Sequence, residues 1–286
     1  MKIDGIDVPL LHQWVGRTES IQDTVHPGLA GAMGAVLDRP RTPQAGDPLP
    51  PLWHWMYFWT TARQSELGPD GHAQRGKFLP PVPLPRRMWA GGRLAFLAPV
   101  EIGTAVHRKS TIKSVEVKRG KSGDMVFVTV EHVIFNARGI AMTEEHDIVY
   151  RDAPQGTRTT APNPAPAGGT WTETVHPDPT LLFRYSALTF NGHRIHYDRT
   201  YSTQVEGYPG LIVHGPLIAT LLVELVQRKL PEARIKAFSF RAVSPLFDIE
   251  PFDICGEPPD ADGVVTLWAK NVRGELAMKA TAEIVI

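Results

Sequence analysis

The residues of this chain best suited to chemistry lie between 190 and 228, in FNGHRIHYDRTYSTQVEGYPGLIVHGPLIATLLVELVQR. Two histidines, His193 and His196, stand beside an amide, Asn191, and a carboxylate, Asp198. An imidazole titrates near neutrality, so modest tuning lets it gain or lose a proton at working pH. Tyr208-Pro209-Gly210 then has turn chemistry, with Pro pre-set for the first corner and Gly free to take positive φ. After it, His214-Gly215-Pro216 opens an apolar run. Pro216 suits a first helical position, where its missing N–H would have had no partner, and Gly215 becomes the expected cap. Leu217, Leu221, Leu222 and Leu225 draw an apolar stripe, and Ile218, Ala219 and Val223 widen it until little polar face remains before Glu224. A helix that apolar is wrapped by other structure. Arg228 and Lys229 favour its negative end, and Pro231 stops it. Its start, with free N–H groups and partial positive charge, suits a carbonyl oxygen that turns negative during reaction.

The run HRIHYD followed by GYPGLIVHGPL resembles the hydratase motif of the MaoC-like (R)-specific enoyl-CoA hydratase and hydroxyacyl-thioester dehydratase family. PPLWHWMYF (50–58), SELGPDGH (65–72) and FLPPVPLPRRMWAGG (78–92) are similar to its two-module branch, which holds 3-hydroxyacyl-thioester dehydratases and mesaconyl- or itaconyl-CoA hydratases. The resemblance covers most of the chain. It implies an α+β double hot-dog fold, in which two curled antiparallel sheets each wrap a central helix. It also implies reversible hydration of an enoyl-CoA (dehydration of a 3-hydroxyacyl-CoA), no cofactor beyond the CoA of the substrate, no metal, and a homodimer.

Hydrating an α,β-unsaturated thioester needs a base for the water that attacks Cβ, a proton for Cα and donors for the enolate-like oxygen. The resemblance makes His196 the base and the Gly215 N–H the donor facing the thioester oxygen. The family's usual partner is an Asp five positions before the His, in D-x-N-P-L-H. Here Asn191 holds that place, His193 replaces the motif's Asn and Arg194 its Pro. An amide can hold a water or donate to a carbonyl but cannot take a proton. Either His196 works with Asn191 as a positioning group or Asp198 supplies the carboxylate, and the aligned place favours Asn191. Arg194 is the expected anchor for a substrate carboxylate, which a guanidinium matches with two parallel bonds. That inclines the substrate toward short, branched or dicarboxylic acyl groups such as mesaconyl or itaconyl. His193 and His214 belong to the same substrate-binding set, His214 either as an orienter behind it or as a cap or packing residue, and Arg241 is a candidate contact for CoA phosphates. His193, His196 and His214 make an acceptable zinc set in number, but no acid to support it can be assigned, and none is expected. The alternatives are a fatty-acid-type 3-hydroxyacyl-thioester dehydratase, a hot-dog thioesterase, and a non-catalytic acyl-thioester binding module, which Asn191 keeps open.

Composition narrows the classes further. A chain of 286 residues has room for two ordinary domains. Lys+Arg and Asp+Glu are both 30, so there is no basic field to draw nucleic acid. The single cysteine, Cys255, makes no internal disulfide, and the start MKIDGIDVPL has no secretory or organelle pattern, which together read as cytoplasmic. The most apolar run, 211–226, is short of a membrane span and interrupted by His214, Thr220 and Glu224.

Along the chain, 26–38 reads as a closely packed helix whose Gly28, Gly31 and Gly34 lack the dinucleotide spacing. The aromatic cluster at 53–59 reads as buried, with a second use as the wall of an acyl pocket. Residues 63–92 form a long irregular excursion, and loops of that length are often covers. Strands are expected at 94–100, 104–117, 125–135 and 140–150, with turns at 121–124 and 137–139. The stretch 153–170 is rich in Pro, Gly and Thr and reads as a linker. Beyond it the pattern repeats: Asn136, Arg138 and Gly139 match Asn271, Arg273 and Gly274 at one offset, and 96–103 answers 240–251. The expected organisation is a non-catalytic module at 1–152, the linker, and a module at 171–286 that carries the motif.

Overall fold

Residues rich in Val, Ile, Thr and aromatics draw both halves of the chain into antiparallel strands. The structure, a computed structural model, describes residues 2–3, 6–120, 123–152 and 163–286. Its strands are β1 (Lys2–Ile3), β2 (Ile6–Asp7), β3 (Thr18–Thr24), β4 (Arg86–Phe96), β5 (Ala105–Gly120) and β6 (Gly123–Asn136). They continue as β7 (Gly139–Arg151), β8 (Trp171–Val175), β9 (Arg234–Ala242), β10 (Phe252–Gly256), β11 (Val264–Asn271) and β12 (Leu276–Val285). The α-helices are α1 (Val8–His12), α2 (Pro27–Val36), α3 (Pro179–Leu188) and α4 (Gly215–Lys229). β1 and β2 pair alone, and the rest form one sheet ordered β3-β5-β6-β7-β4-β9-β12-β11-β10-β8.

The sheet is a duplication joined at its middle. From the β4–β9 seam outward, each half runs through its own second, fifth, fourth, third and first strand. The two curled sheets of a double hot-dog are therefore hydrogen-bonded edge to edge, with Gly92 opposite Phe240. A Cβ on Gly91 would stand 2.5 Å from the Phe240 carbonyl oxygen, so the seam closes only on glycine there. The repeated turns also match in detail. The Asn136 side chain accepts from Arg138 N at 2.8 Å, and Asn271 accepts from Arg273 N at 3.0 Å.

The α4 helix fills the second half, with Leu217, Leu222, Val223 and Leu225 fully buried. Each such side chain contributes about 1.5–3 kcal/mol by leaving water. Glu224, which the sequence places where a polar face begins, is buried as well. It takes an ion pair from Arg39 at 2.6 Å and a hydrogen bond from Trp53 Nε1 at 3.2 Å. A charge that deep is tolerated only when it is paired. Here the pairing also ties α4 to the first half, and one apolar core runs through both halves.

Three boundaries differ from the sequence reading. β4 begins at Arg86, inside the expected excursion, because it is the strand that makes the seam. The α4 cap is His214, in extended conformation, and Gly215 is already helical. Within the expected linker, 153–162 lie outside the described residues, while Asn163 and Ala165 bond to the chain around the β11–β12 turn. Residues 121–122 of the expected turn also lie outside them. Among the described residues no helix is long and apolar enough to cross a membrane.

Candidate active site

The site begins where α3 ends. Phe190 takes φ of 51°, reversing the chain, and its ring stacks on Trp59 with centroids 4.9 Å apart. The Asn191 side-chain oxygen then accepts from His193 N at 3.0 Å, and one 3₁₀ turn (Arg194–His196) presents His196. His196 Nδ1 donates to the Ile212 carbonyl at 2.7 Å. A carbonyl only accepts, so the proton is fixed on Nδ1 and Nε2 keeps its lone pair. The ring stacks on His214 at 3.8 Å, and His214 Nε2 is in turn 2.7 Å from Ser186 Oγ. Burial pushes His196 down to about 4, so the ring is neutral at pH 7 and able to accept a proton.

His196 and Gly215 line the same cavity, of about 1460 Å³. Small-ligand sites run to roughly 300–1,000 Å³, so this one has room for an acyl group together with part of a long carrier arm. An added Cβ on Gly215 would meet no atom within 4 Å, and its φ is not positive. Packing therefore does not demand glycine at this position; the space a methyl would take is cavity. The first N–H groups of a helix have no intrahelical partner, which leaves that of Gly215 available there.

The other residues singled out from sequence are placed unevenly. Asn191, His193 and Arg194 line the cavity. Arg194 is already engaged. Its Nε and Nη2 donate to Asp198 at 3.0 and 2.7 Å, Nη1 donates to the Pro69 carbonyl at 2.9 Å, and the guanidinium lies over Tyr201. Asp198, besides holding Arg194, accepts from Tyr201 N, and it does not reach the lining. His214 lies behind His196 and Arg241 is exposed on β9, both off the lining. His193, His196 and His214 do not converge as ligands. Among the described residues the donor set spaced for a metal ion is Asp70, His72 and His193, whose ligand atoms lie within 4.8 Å of one another.

Asp70 and His72 of that set come from the excursion, which docks directly on the loop that presents His193 and His196. Arg194 N donates to Asp70 O at 3.0 Å. Gly71 has φ of +86°, and a Cβ there would fall 1.9 Å from the Gly192 carbonyl oxygen. Neither backbone can yield cheaply. Gly71→Ala is expected to undock this segment at a cost of about 2 kcal/mol or more, read as a lower melting temperature and faster proteolysis within 63–85. Unchanged melting and proteolysis would contradict this packing.

A second polar group, which no motif in the sequence singles out, lines the same cavity. Glu144, buried on β7, bonds His54 Nε2 at 2.9 Å and Trp55 Nε1 at 3.0 Å. Across the ladder His132 Nδ1 meets Ser110 Oγ at 2.8 Å, and His146 stacks on Trp89 at 3.8 Å. Burial alone would raise Glu144, but the His54 bond and nearby imidazoles outweigh it and hold the carboxyl at about 2. Burial lowers His132 to about 3 and His146 to about 4. The only sequence signal was polar residues at core-facing strand positions, which is legible once the face is known. The 53–59 cluster serves both expected uses: Trp53 is fully buried, while Trp55, Phe58 and Trp59 line the cavity.

Comparison with known proteins agrees with this geometry. The model of the hydroxyacyl-thioester dehydratase type 2 family matches residues 52–248. The mesaconyl-C(4)-CoA hydratase of Chloroflexus aurantiacus is 48% identical over 95% of this chain and 96% of its own. The mitochondrial hydroxyacyl-thioester dehydratase type 2 of Schizosaccharomyces pombe is 30% identical over 72% of this chain and 77% of its own. Among solved structures, a MaoC-like dehydratase from Phytophthora capsici superposes with a TM-score of 0.71 at 14% identity, covering 98% of this chain and 99% of that one. A Mycobacterium tuberculosis protein described as a double hot-dog gives 0.57 at 14% identity, covering 95% and 96%. These likenesses establish the double hot-dog fold. The family match takes in both the docked excursion and the His196 loop, and the chain belongs to the hydroxyacyl-thioester dehydratase type 2 family as a hydratase/dehydratase, a hydro-lyase.

Proposed function

We propose that this enzyme adds water reversibly across the C=C of a short dicarboxylic or branched enoyl-CoA, of the mesaconyl or itaconyl kind. The observation that carries the reaction is the sharing of one cavity by His196 Nε2 and the start of α4. His196 takes a proton from water as oxygen bonds Cβ. The π pair moves to the thioester oxygen facing Gly215 N–H, and the proton is returned to Cα. Stabilising that oxygen by a preorganised donor is often the largest single effect in such chemistry. Every proton is conserved within the site, and no cofactor beyond substrate CoA enters the scheme.

The acyl preference is supported by the name of the 48% identical relative and by Arg87. Arg87 lines the cavity beside Tyr150, and no carboxylate among the described residues pairs with it. His72 and His193 are lowered first by burial, and the charge of Arg87 lowers both further, so its guanidinium is within electrostatic reach of both rings. We assign Arg87, rather than the occupied Arg194, to the free carboxylate of the substrate. Initial rates with mesaconyl-C4-, itaconyl- and crotonyl-CoA test this. Arg87→Met is expected to lower kcat/KM for the dicarboxylic ester on the order of 100-fold while sparing crotonyl-CoA. A wild-type preference for crotonyl-CoA, or equal losses on all esters, would remove the carboxylate reading. The Schizosaccharomyces pombe relative supports a second reading, dehydration of fatty-acid-type 3-hydroxyacyl thioesters, which a preference for longer acyl chains would favour.

A further inference from the structure

The family's second catalytic group is absent from its usual place, since Asn191 cannot take a proton and its side-chain oxygen is committed to His193 N. The structure brings another pair into the same cavity, beside His193, from the first half of the chain. Asp70 accepts from the His72 backbone N–H at 3.1 Å and holds His72 Nδ1 at 3.0 Å. A carboxylate on Nδ1 fixes the proton there and leaves Nε2 as an acceptor. The His72 ring centroid is 4.1 Å from that of His193, which is 5.4 Å from that of His196. All three rings line the cavity. The Arg194 bonds to Asp70 O and Pro69 O and the Gly71–Gly192 contact fix the segment against the catalytic loop.

We infer that His72, positioned by Asp70, is the second catalytic residue: its Nε2 accepts the other O–H of the attacking water, the task a carboxylate at position 191 would perform. The step rests on the hydratase reading and conserves atoms and charge. One water proton passes to His196 and on to Cα, the oxygen bonds Cβ, and the second proton stays on that oxygen while hydrogen-bonded to His72. No net charge builds on His72, in keeping with a buried ring that favours its neutral form. The first half of the chain thus completes the active site of the second.

The test is steady-state hydration by the full-length enzyme with mesaconyl-C4-CoA and crotonyl-CoA, with thermal melting of each variant as the folding control. His72→Gln is expected to lower kcat on the order of 100-fold with KM changed by less than about threefold. Adding Asn191→Asp to that variant is expected to restore kcat about tenfold or more, because the carboxylate returns to the family's place. Asp70→Asn keeps an acceptor for Nδ1–H and is expected to cost less than His72→Gln. The assignment fails if His72→Gln turns over within about threefold of wild type, if its loss lies in KM alone, or if Asp70→Asn costs as much. It also fails if the double variant melts like wild type and shows no rescue. A wild-type enzyme that hydrates neither ester would instead strike at the function proposed above.

Discussion

His196→Ala lowers kcat on the order of 10²–10⁴-fold, the usual worth of a positioned general base, and leaves KM close to that of wild type. In the proposed mechanism the ring meets water and the reacting carbons rather than the bulk of the acyl-CoA, so its loss falls on the chemical step. Melting should fall only moderately. His196 is buried, but it lies at the wall of a cavity that water can enter, and what it leaves behind is the Ile212 carbonyl. The residual rate comes from the helix start and from substrate positioning, both of which survive. Loss of the conjugated thioester absorbance measures the rate directly. Near-full turnover in a folded variant would end the assignment of His196 as base, and the hydration mechanism built on it.

Acid should destabilise the protein well before its carboxylates titrate. Burial holds His132 at about 3, His146 and His196 at about 4 and His193 at about 2, all below the unfolded value near 6.5. Below pH 6.5 the unfolded chain therefore binds protons that the folded chain refuses, and stability falls as pH drops toward 4. Above 6.5 both states are neutral and these groups contribute nothing to the pH dependence. Each histidine costs about 1.4 kcal/mol per pH unit within the window, so several together remove a large share of a typical stability of about 5–15 kcal/mol by pH 5. Glu144 acts in a lower window, because its stabilisation is present above the usual carboxylate range and is lost as pH falls toward about 2. Melting temperature should be level from pH 8 to 7 and drop steeply between 6.5 and 5; a level profile down to pH 5 would contradict the buried neutral rings. Since His196 keeps its base form down to about 4, the acid limb of activity should follow unfolding rather than titration of this ring.

The sequence alone determined the elements whose cause is local. A Pro-started apolar run has to be a buried helix, β-branched segments punctuated by Gly turns have to pair, and the matched Asn-x-Arg-Gly turns betray a duplication because identical turn chemistry recurs at one offset. The HRIHYD and HGPL segments likewise singled out His196 and Gly215, which the fold brings to one cavity and to which we assign proton transfer and oxyanion binding. Only the tertiary structure decided which side chains meet around the cavity. Asp70–His72 meets His193 from far away in the chain, Glu144 gathers His54 and Trp55 across the β-ladder, and Arg194 is taken up by Asp198 while Arg87 is left facing the cavity without a carboxylate. Such pairings depend on strand register and on two glycine backbones touching, and neither leaves a periodic trace in the order of residues.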